Sequence, residues 1–277
     1  MDAVQLARGL ADGGRVNQLG TPGDATHTFR VHSPTGPYIL KIYDRESYAR
    51  REERAFTVLG GIPGTPSIFE RGDEQGTHWV KFRDPGAWTM ATLPENAIAA
   101  ANCGNIVRSI HQLDTANVTN LHGGMTAEQV ASDYESTFLR LNRFRGRLNI
   151  GADVIEAAMA VPPPRCSAPT FSHTNPSATN FYVNDSAEVT LFDWTWATLT
   201  PPEWDFTLAY WSLGSSAGDT AAAAFAEGYG AKLSDDDLRP WIIYHIASYL
   251  IREAETSSGR LEQLRKHIEQ LAAYAMR

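Results

Sequence analysis

Residues 171–194 read FSHTNPSATNFYVNDSAEVTLFDW. Two short apolar runs, at 180–183 and 189–192, are joined by the turn-rich NDSAE, and this predicts a small hairpin. His173 precedes it, Asn180 enters its first strand and Asp193 leaves its second. Magnesium carrying a nucleotide phosphate needs hard oxygen ligands, commonly one or two carboxylates or amides with phosphates completing the set. Asn180 and Asp193 converging across the hairpin would supply such a pair, with His173 bracing the loop backbone. The alternative is an ordinary turn, because Asn and Asp suit turns.

The N-terminal part supplies the context. FRVHSPTGPYILKIY, 29–43, predicts two strands around PTGP, with Lys41 inside the second, apolar one. A Lys there is costly without an anionic partner. The helix predicted in RESYARREERAFTVLGG offers Glu52, whose +4 and +7 positions are Phe56 and Leu59, so it faces the packed side. Glu53 is the runner-up, and a Lys at a strand edge with its head in water is the alternative. Upstream, Gly20 and Gly23 sit in a turn that could cover phosphates with backbone amides, or be a plain hairpin turn. TPSIFERGDEQGTHWVKF, 65–82, predicts another strand-turn-strand unit.

DPG at 84–86 breaks this pattern, and helix signals dominate after it. Ile98, Ile106, Ile110 and Leu113 recur at helical spacing, as do Val130, Tyr134, Phe138 and Leu141. VPPPR at 161–165 is not helix, since its prolines lack amide donors. Four helical segments follow the hairpin. The expected fold is α+β and bilobal: a small β-rich lobe at 1–83 with one central helix, a linker at 84–92, and a larger, mainly helical lobe at 93–277. Ligands favour the crevice between two such lobes.

Composition narrows the function. The 277 residues are 43% apolar and carry a net charge of -8, so the chain can build a large core and lacks the basic excess of a general nucleic-acid binder. Its two cysteines fit neither a zinc pattern nor a disulfide framework. The N-terminus has no long apolar run, and no stretch reaches transmembrane length. These features read as a soluble cytoplasmic protein with no membrane partner.

The order of turn with glycines, strand Lys, helix Glu, linker, H-x-x-x-x-x-x-N, strand and Asp resembles the protein-kinase-like fold, and most closely the aminoglycoside phosphotransferase and choline kinase family. VRSIHQLD is similar to its helix ending in Leu-His-x-Leu-Asp, FSHTNPSATNFYV to its HGDxxxxN catalytic loop, and LFDWTWATLTPPEWDFTLA to its IDW…DPxxDLA segment. The resemblance covers nearly the whole chain. It implies ATP and Mg²⁺ as cofactors. Lys41 would hold the α- and β-phosphates, oriented by Glu52. Gly20 and Gly23 would cover the phosphates, and Asn180 and Asp193 would bind Mg²⁺. Val80 to Phe82 would lie beside the adenine and offer backbone hydrogen bonds. Asp205 would help to brace the catalytic loop, where His173 and Asn175 are the candidate catalytic residues.

There are departures. Asn175 stands where the family has its catalytic Asp, Thr174 replaces the usual Gly, and Pro201 stands at a frequent Asp. A neutral amide orients a hydroxyl but is a poor base, and general-base catalysis is worth roughly 10²–10⁴-fold. Three readings follow: a phosphotransferase with altered acid–base chemistry, a pseudokinase scaffold or partner subunit, and an Asp-to-Asn variant that traps a complex. The acceptor is a hydroxyl of a small molecule or of Ser/Thr in a peptide. Acids at 235–237 and at Glu253 and Glu255 could line a pocket for a polycation, but they read better as a helix start capped by Ser234 and a solvated face. Arg140, Arg143, Arg145 and Arg147 form a solvated face or a dock for an acidic partner.

Overall fold

The computed structural model describes residues 2–19, 26–93, 95–115, 118, 121, 123–231, 234–256 and 261–277. A short helix the sequence reading did not anticipate, α1 (Ala3–Gly9), opens the chain with Asp2 accepting from the Val4 amide. Then come β1 (Arg15–Leu19), β2 (Thr26–Ser33), β3 (Gly36–Tyr43), α2 (Glu46–Leu59), β4 (Ile68–Glu74) and β5 (Thr77–Arg83). The strands form one antiparallel sheet in the order β1-β2-β3-β5-β4.

β3 is covered on both faces, which explains its unbroken apolar run. Leu40 and Ile42 pack towards α1 with Leu6, Phe29 and Val31. Ile39 packs with Phe82 and Phe192 on the opposite face. There Phe56 of α2 lies 5.7 Å from the Phe82 ring. α2 ends at Gly60, whose φ of 56° is left-handed.

The linker is not a bare tether. Its β6 (Trp88–Thr89) pairs with the predicted hairpin, and so joins the second lobe. That lobe contains α3 (Ala97–His111), α4 (Ala127–Leu148), α5 (Ala152–Ala160), β7 (Thr170–Ser172), hairpin strands β8 (Phe181–Val183) and β9 (Val189–Leu191), and β10 (Thr198–Thr200) paired with β7. Helices α6 (Pro202–Ala217), α7 (Asp219–Tyr229), α8 (Asp235–Thr256) and α9 (Leu261–Ala275) complete it. Val130, Tyr134, Phe138 and Leu141 all enter the main core.

Ile98 does not. It is 69% exposed, and the buried face of α3 is made of Ala99, Ala100, Cys103, Ile106, Val107 and Ile110. The reason is close helix packing: a Cβ on Gly104 would lie 2.1 Å from the Phe225 carbonyl oxygen of α7. A Cβ on Gly228 would lie equally close to that of Ala101. Small residues let the two backbones meet, and Ile98 turns outward.

The Asp run at 235–237 starts α8 as expected, with Ser234 Oγ accepting from the Asp237 amide at 3.2 Å. Arg140 lies on an exposed face and pairs with Glu255 at 2.6 Å. Among the described residues no helix is long and apolar enough to cross a membrane.

Candidate active site

Lys41 alternates from β3 to the α2 side, where its ammonium uses all three donors. It donates to Glu52 Oε2 at 2.7 Å, Asp193 Oδ1 at 2.7 Å and Thr195 Oγ1 at 3.0 Å. Glu52 is fixed from further sides: Oε2 accepts from the Tyr43 hydroxyl at 2.5 Å and Oε1 from the Trp194 amide at 2.9 Å. The expected Lys41–Glu52 pair therefore forms. Glu53, the runner-up, is exposed and meets Arg71 instead. The sequence reading missed Thr195, Tyr43 and the Trp194 amide. Thr195 stands only two positions after Asp193, a spacing that puts its hydroxyl beside the carboxylate.

Exposure separates the three charged groups. The side chains of Lys41 and Glu52 are 4% and 2% exposed, whereas that of Asp193 is 40% exposed. Burial works against the charge on Asp193, but the Lys41 ammonium and the Thr195 hydroxyl outweigh it and hold its carboxyl below the ordinary range. Burial likewise opposes charge on Lys41, and Asp193 and Glu52 together raise its pKa above the usual value. One cation and two carboxylates leave a net negative centre with its open side at Asp193. That residue has a φ of 69°, a left-handed conformation that Asp tolerates.

The loop before β8 is held from beneath by α6. Asp205, 1% exposed, accepts from the His173 amide at 2.6 Å and the Thr174 amide at 2.8 Å. His111 Nε2 lies 3.4 Å from the same carboxylate. Trp204 Nε1 donates to the Thr174 carbonyl at 3.0 Å. Thr174 has a φ of 68°, the left-handed region that favours glycine, so the family's Gly at this position has a backbone reason.

His173 was expected to brace the loop backbone and was also a candidate catalytic residue; its surroundings fit bracing. It is fully buried, and burial lowers its pKa below the ordinary histidine value against the opposing pull of Asp205 and Asp193. Nε2 donates to the Phe192 carbonyl at 2.8 Å, and Nδ1 accepts from the Asn175 amide at 3.2 Å. Neither nitrogen is left to move a proton.

The Phe192 amide donates to the Asn180 carbonyl at 2.9 Å, which sets Asn180 beside the segment that ends in Asp193. The side-chain NH₂ of Asn180 donates to the Asn175 carbonyl at 2.9 Å, leaving its Oδ1 a hard oxygen with no hydrogen bond among the described residues. Asn175 is half-buried, and its side-chain amide makes no hydrogen bond among the described residues.

Two nucleotide-binding expectations fare differently. Gly20 and Gly23 lie outside the described residues. Val80 and Phe82 do not offer free backbone groups: β5 is flanked by β3 and β4, and even the Arg83 amide is taken, by Ser67. Sequence could not tell a central strand from the segment after it. Arg30 of β2 engages the start of the linker, at 84–87. Arg30 Nη2 donates to Asp84 Oδ1 at 3.2 Å and to the Gly86 carbonyl, while Nη1 donates to the Ala87 carbonyl at 3.4 Å.

Comparison with known proteins identifies the family and the fold. The model of the phosphotransferase enzyme family matches residues 19–241. A spectinomycin phosphotransferase solved with ADP and spectinomycin superposes with a TM-score of 0.68 at 12% identity, over 100% of this chain and 98% of its own. The GDP complex of aminoglycoside 2'-phosphotransferase-IIIa gives 0.66 at 14%, over 94% and 92%. A macrolide 2'-phosphotransferase from Brachybacterium faecium gives 0.60 at 15%, over 98% and 95%. A sequence search of curated proteins finds no match. At these identities the structural neighbours establish the protein-kinase-like fold, and the family model, spanning most of the chain, establishes that the protein belongs to the phosphotransferase enzyme family.

Proposed function

We propose that this protein transfers the γ-phosphoryl group of Mg²⁺-ATP to a hydroxyl of a small molecule, with Asn175 orienting that hydroxyl. The observation that carries the reading is Lys41, buried between Glu52 and Asp193 at 2.7 Å each. Such a charge arrangement has no structural necessity in an apolar strand, and it suits phosphate binding. Lys41 would exchange Asp193 and Thr195 for phosphate oxygens while Glu52 keeps its direction. The hard-oxygen donors of Asp193 and Asn180, beside a net negative centre, fit Mg²⁺. The ion would supply neutralisation of phosphate charge. Asn175 would align the acceptor hydroxyl without removing its proton, which would pass to an oxygen of the transferred phosphoryl group as the bond to ADP breaks.

The neutral amide at 175 also supports a second reading, a nucleotide-binding scaffold or partner subunit without transfer. Calorimetry with Mg²⁺-ATP on wild type and Asp193→Ala tests what the two share: binding in the first and its loss in the second is expected. No binding by wild type at millimolar nucleotide would refute both. Labelled ATP with hydroxylated amines and Ser/Thr peptides then separates them, since transfer by either wild type or Asn175→Asp supports the enzyme.

A further inference from the structure

α2 and its N-cap Arg45 carry more cations than their acids pair with. Glu52 is held by Lys41, Glu46 pairs with Arg50, and Glu53 pairs with Arg71. Arg45 and Arg51 have no acidic partner among the described residues; what they have is aromatic rings. Arg45 lies 5.9 Å and Arg51 5.7 Å from the centroid of Tyr48. Arg51 is also 5.1 Å from the Trp196 ring, which meets Tyr48 edge-on at 5.6 Å. A ring face attracts a guanidinium but satisfies none of its N–H donors in their plane. The buried Nε of Arg51 has no hydrogen-bond partner. Two guanidinium groups against one ring repel each other until an anion lies near both.

The place matters as much as the charge. Trp196 is 49% exposed, and its carbonyl accepts from Thr174 Oγ1 at 3.0 Å, one residue before Asn175. Thr195, its neighbour, donates to Asp193 and accepts from Lys41. The platform thus borders both the loop and the charged centre, in a chain whose net charge is -8.

Building on the phosphotransferase reading, we propose that Arg51, with Arg45 and the face of Trp196, binds an acidic group of the acceptor. The molecule phosphorylated is then a hydroxylated acid, not a polycation. A carboxylate would meet the Arg51 fork with two hydrogen bonds, and a planar ring beside it would lie on Trp196.

The test uses the full chain with Mg²⁺ and a non-hydrolysable ATP analogue. Calorimetry compares meta-hydroxybenzoate, its neutral twin meta-hydroxybenzamide, and the polycation kanamycin. The acid is expected to bind about tenfold more tightly than the amide, the size of one charge-assisted hydrogen-bond pair. Arg51→Met should erase that difference, Arg51→Lys should keep part of it, and Arg45→Met should weaken it; all three should hold the analogue as wild type does. Equal binding of acid and amide, no binding of the acid, preference for kanamycin, or a preference that survives Arg51→Met would overturn the proposal. Loss of analogue affinity in Arg51→Met with the acid unaffected would assign the cations to nucleotide phosphates and overturn it too. A wild type that discriminates acid from amide but never binds the analogue would break the phosphotransferase reading and leave the anion site standing.

Discussion

Two aspartates stand on either side of the same loop, and their surroundings make them opposites. Asp205 is 1% exposed and accepts from two backbone amides, with His111 against it as well. Its acceptor capacity is used by the fold. Asp193 is 40% exposed, shares one oxygen between Lys41 and Thr195, and keeps the other open among the described residues. A carboxylate whose partners are all internal holds structure; one that is half satisfied beside a net negative centre has the chemistry to take a cation. The open and closed clusters should therefore fail in different ways.

Lys41→Met should give the largest effect. It leaves Glu52 buried without its countercharge, a loss of about 3–5 kcal/mol for a broken buried pair. Phosphoryl transfer should fall by at least roughly 10²–10³-fold, as for loss of one preorganised donor. Urea unfolding and a labelled-ATP assay read the two losses. If stability falls and transfer does not, the open cluster is merely structural.

Asp205→Ala comes next. Two buried amide groups lose their acceptor, at about 1–3 kcal/mol each. The loss should show in urea unfolding, with nucleotide affinity in the surviving folded protein close to wild type. A variant as stable as wild type would erase the contrast between the clusters.

Asn175→Asp should move only the open side. Transfer should rise by roughly 10²-fold, the lower end of a general-base effect. The rate should also gain an acidic limb in its pH profile, while the unfolding midpoint stays put. A flat profile with unchanged rate would show that position 175 never meets the acceptor's proton.

Acid should weaken the closed side first. His245 lies behind α6, 3.0 Å from Thr207 Oγ1, and burial lowers its pKa to about 3. Its folded value lies below the unfolded one of about 6.5, so the unfolded chain takes the proton first. Stability is then fully present above pH ~6.5 and declines below it by up to about 1.4 kcal/mol per pH unit. Asp193, lowered by Lys41, acts only at lower pH, as its carboxylate protonates. His245→Gln should flatten the slope of the urea midpoint between neutral and mildly acidic pH. An unchanged slope would place the acid sensitivity elsewhere.

What could be read in advance follows from this contrast. Lys41 was legible because a charge inside YILKIY has no apolar explanation, and Glu52 because Phe56 and Leu59 fix its face. Tyr43, Trp194 and Thr195 were not, since no local rule says which groups meet when β3 and the segment after β9 come together. The helix of α3 was legible from its spacing, but its buried face was not, because the contact with α7 is made by small residues that a pattern of large ones does not mark. That Val80 and Phe82 spend their backbone groups on neighbouring strands was not legible, because strand position in a sheet is a property of pairing, which periodicity does not contain. α1 is seven residues long, too short to leave a periodic signal.

Thr174→Gly gives the smallest effect and bears on the boundary between the clusters. A β-branched residue at φ 68° carries backbone strain of roughly 1–2 kcal/mol, which glycine relieves. The same change removes the hydrogen bond from Thr174 Oγ1 to the Trp196 carbonyl, worth about 1 kcal/mol, and adds chain entropy to the unfolded state. These terms nearly cancel, so the unfolding midpoint should move little. The anchoring of Trp196 changes instead. If that hydroxyl holds the Arg51 platform against the loop, the glycine variant should lose discrimination between meta-hydroxybenzoate and its amide while binding Mg²⁺-ATP normally. Intact discrimination would mean that Thr174 serves only the closed cluster, and that the strain at this position is a cost of folding with no return at the site.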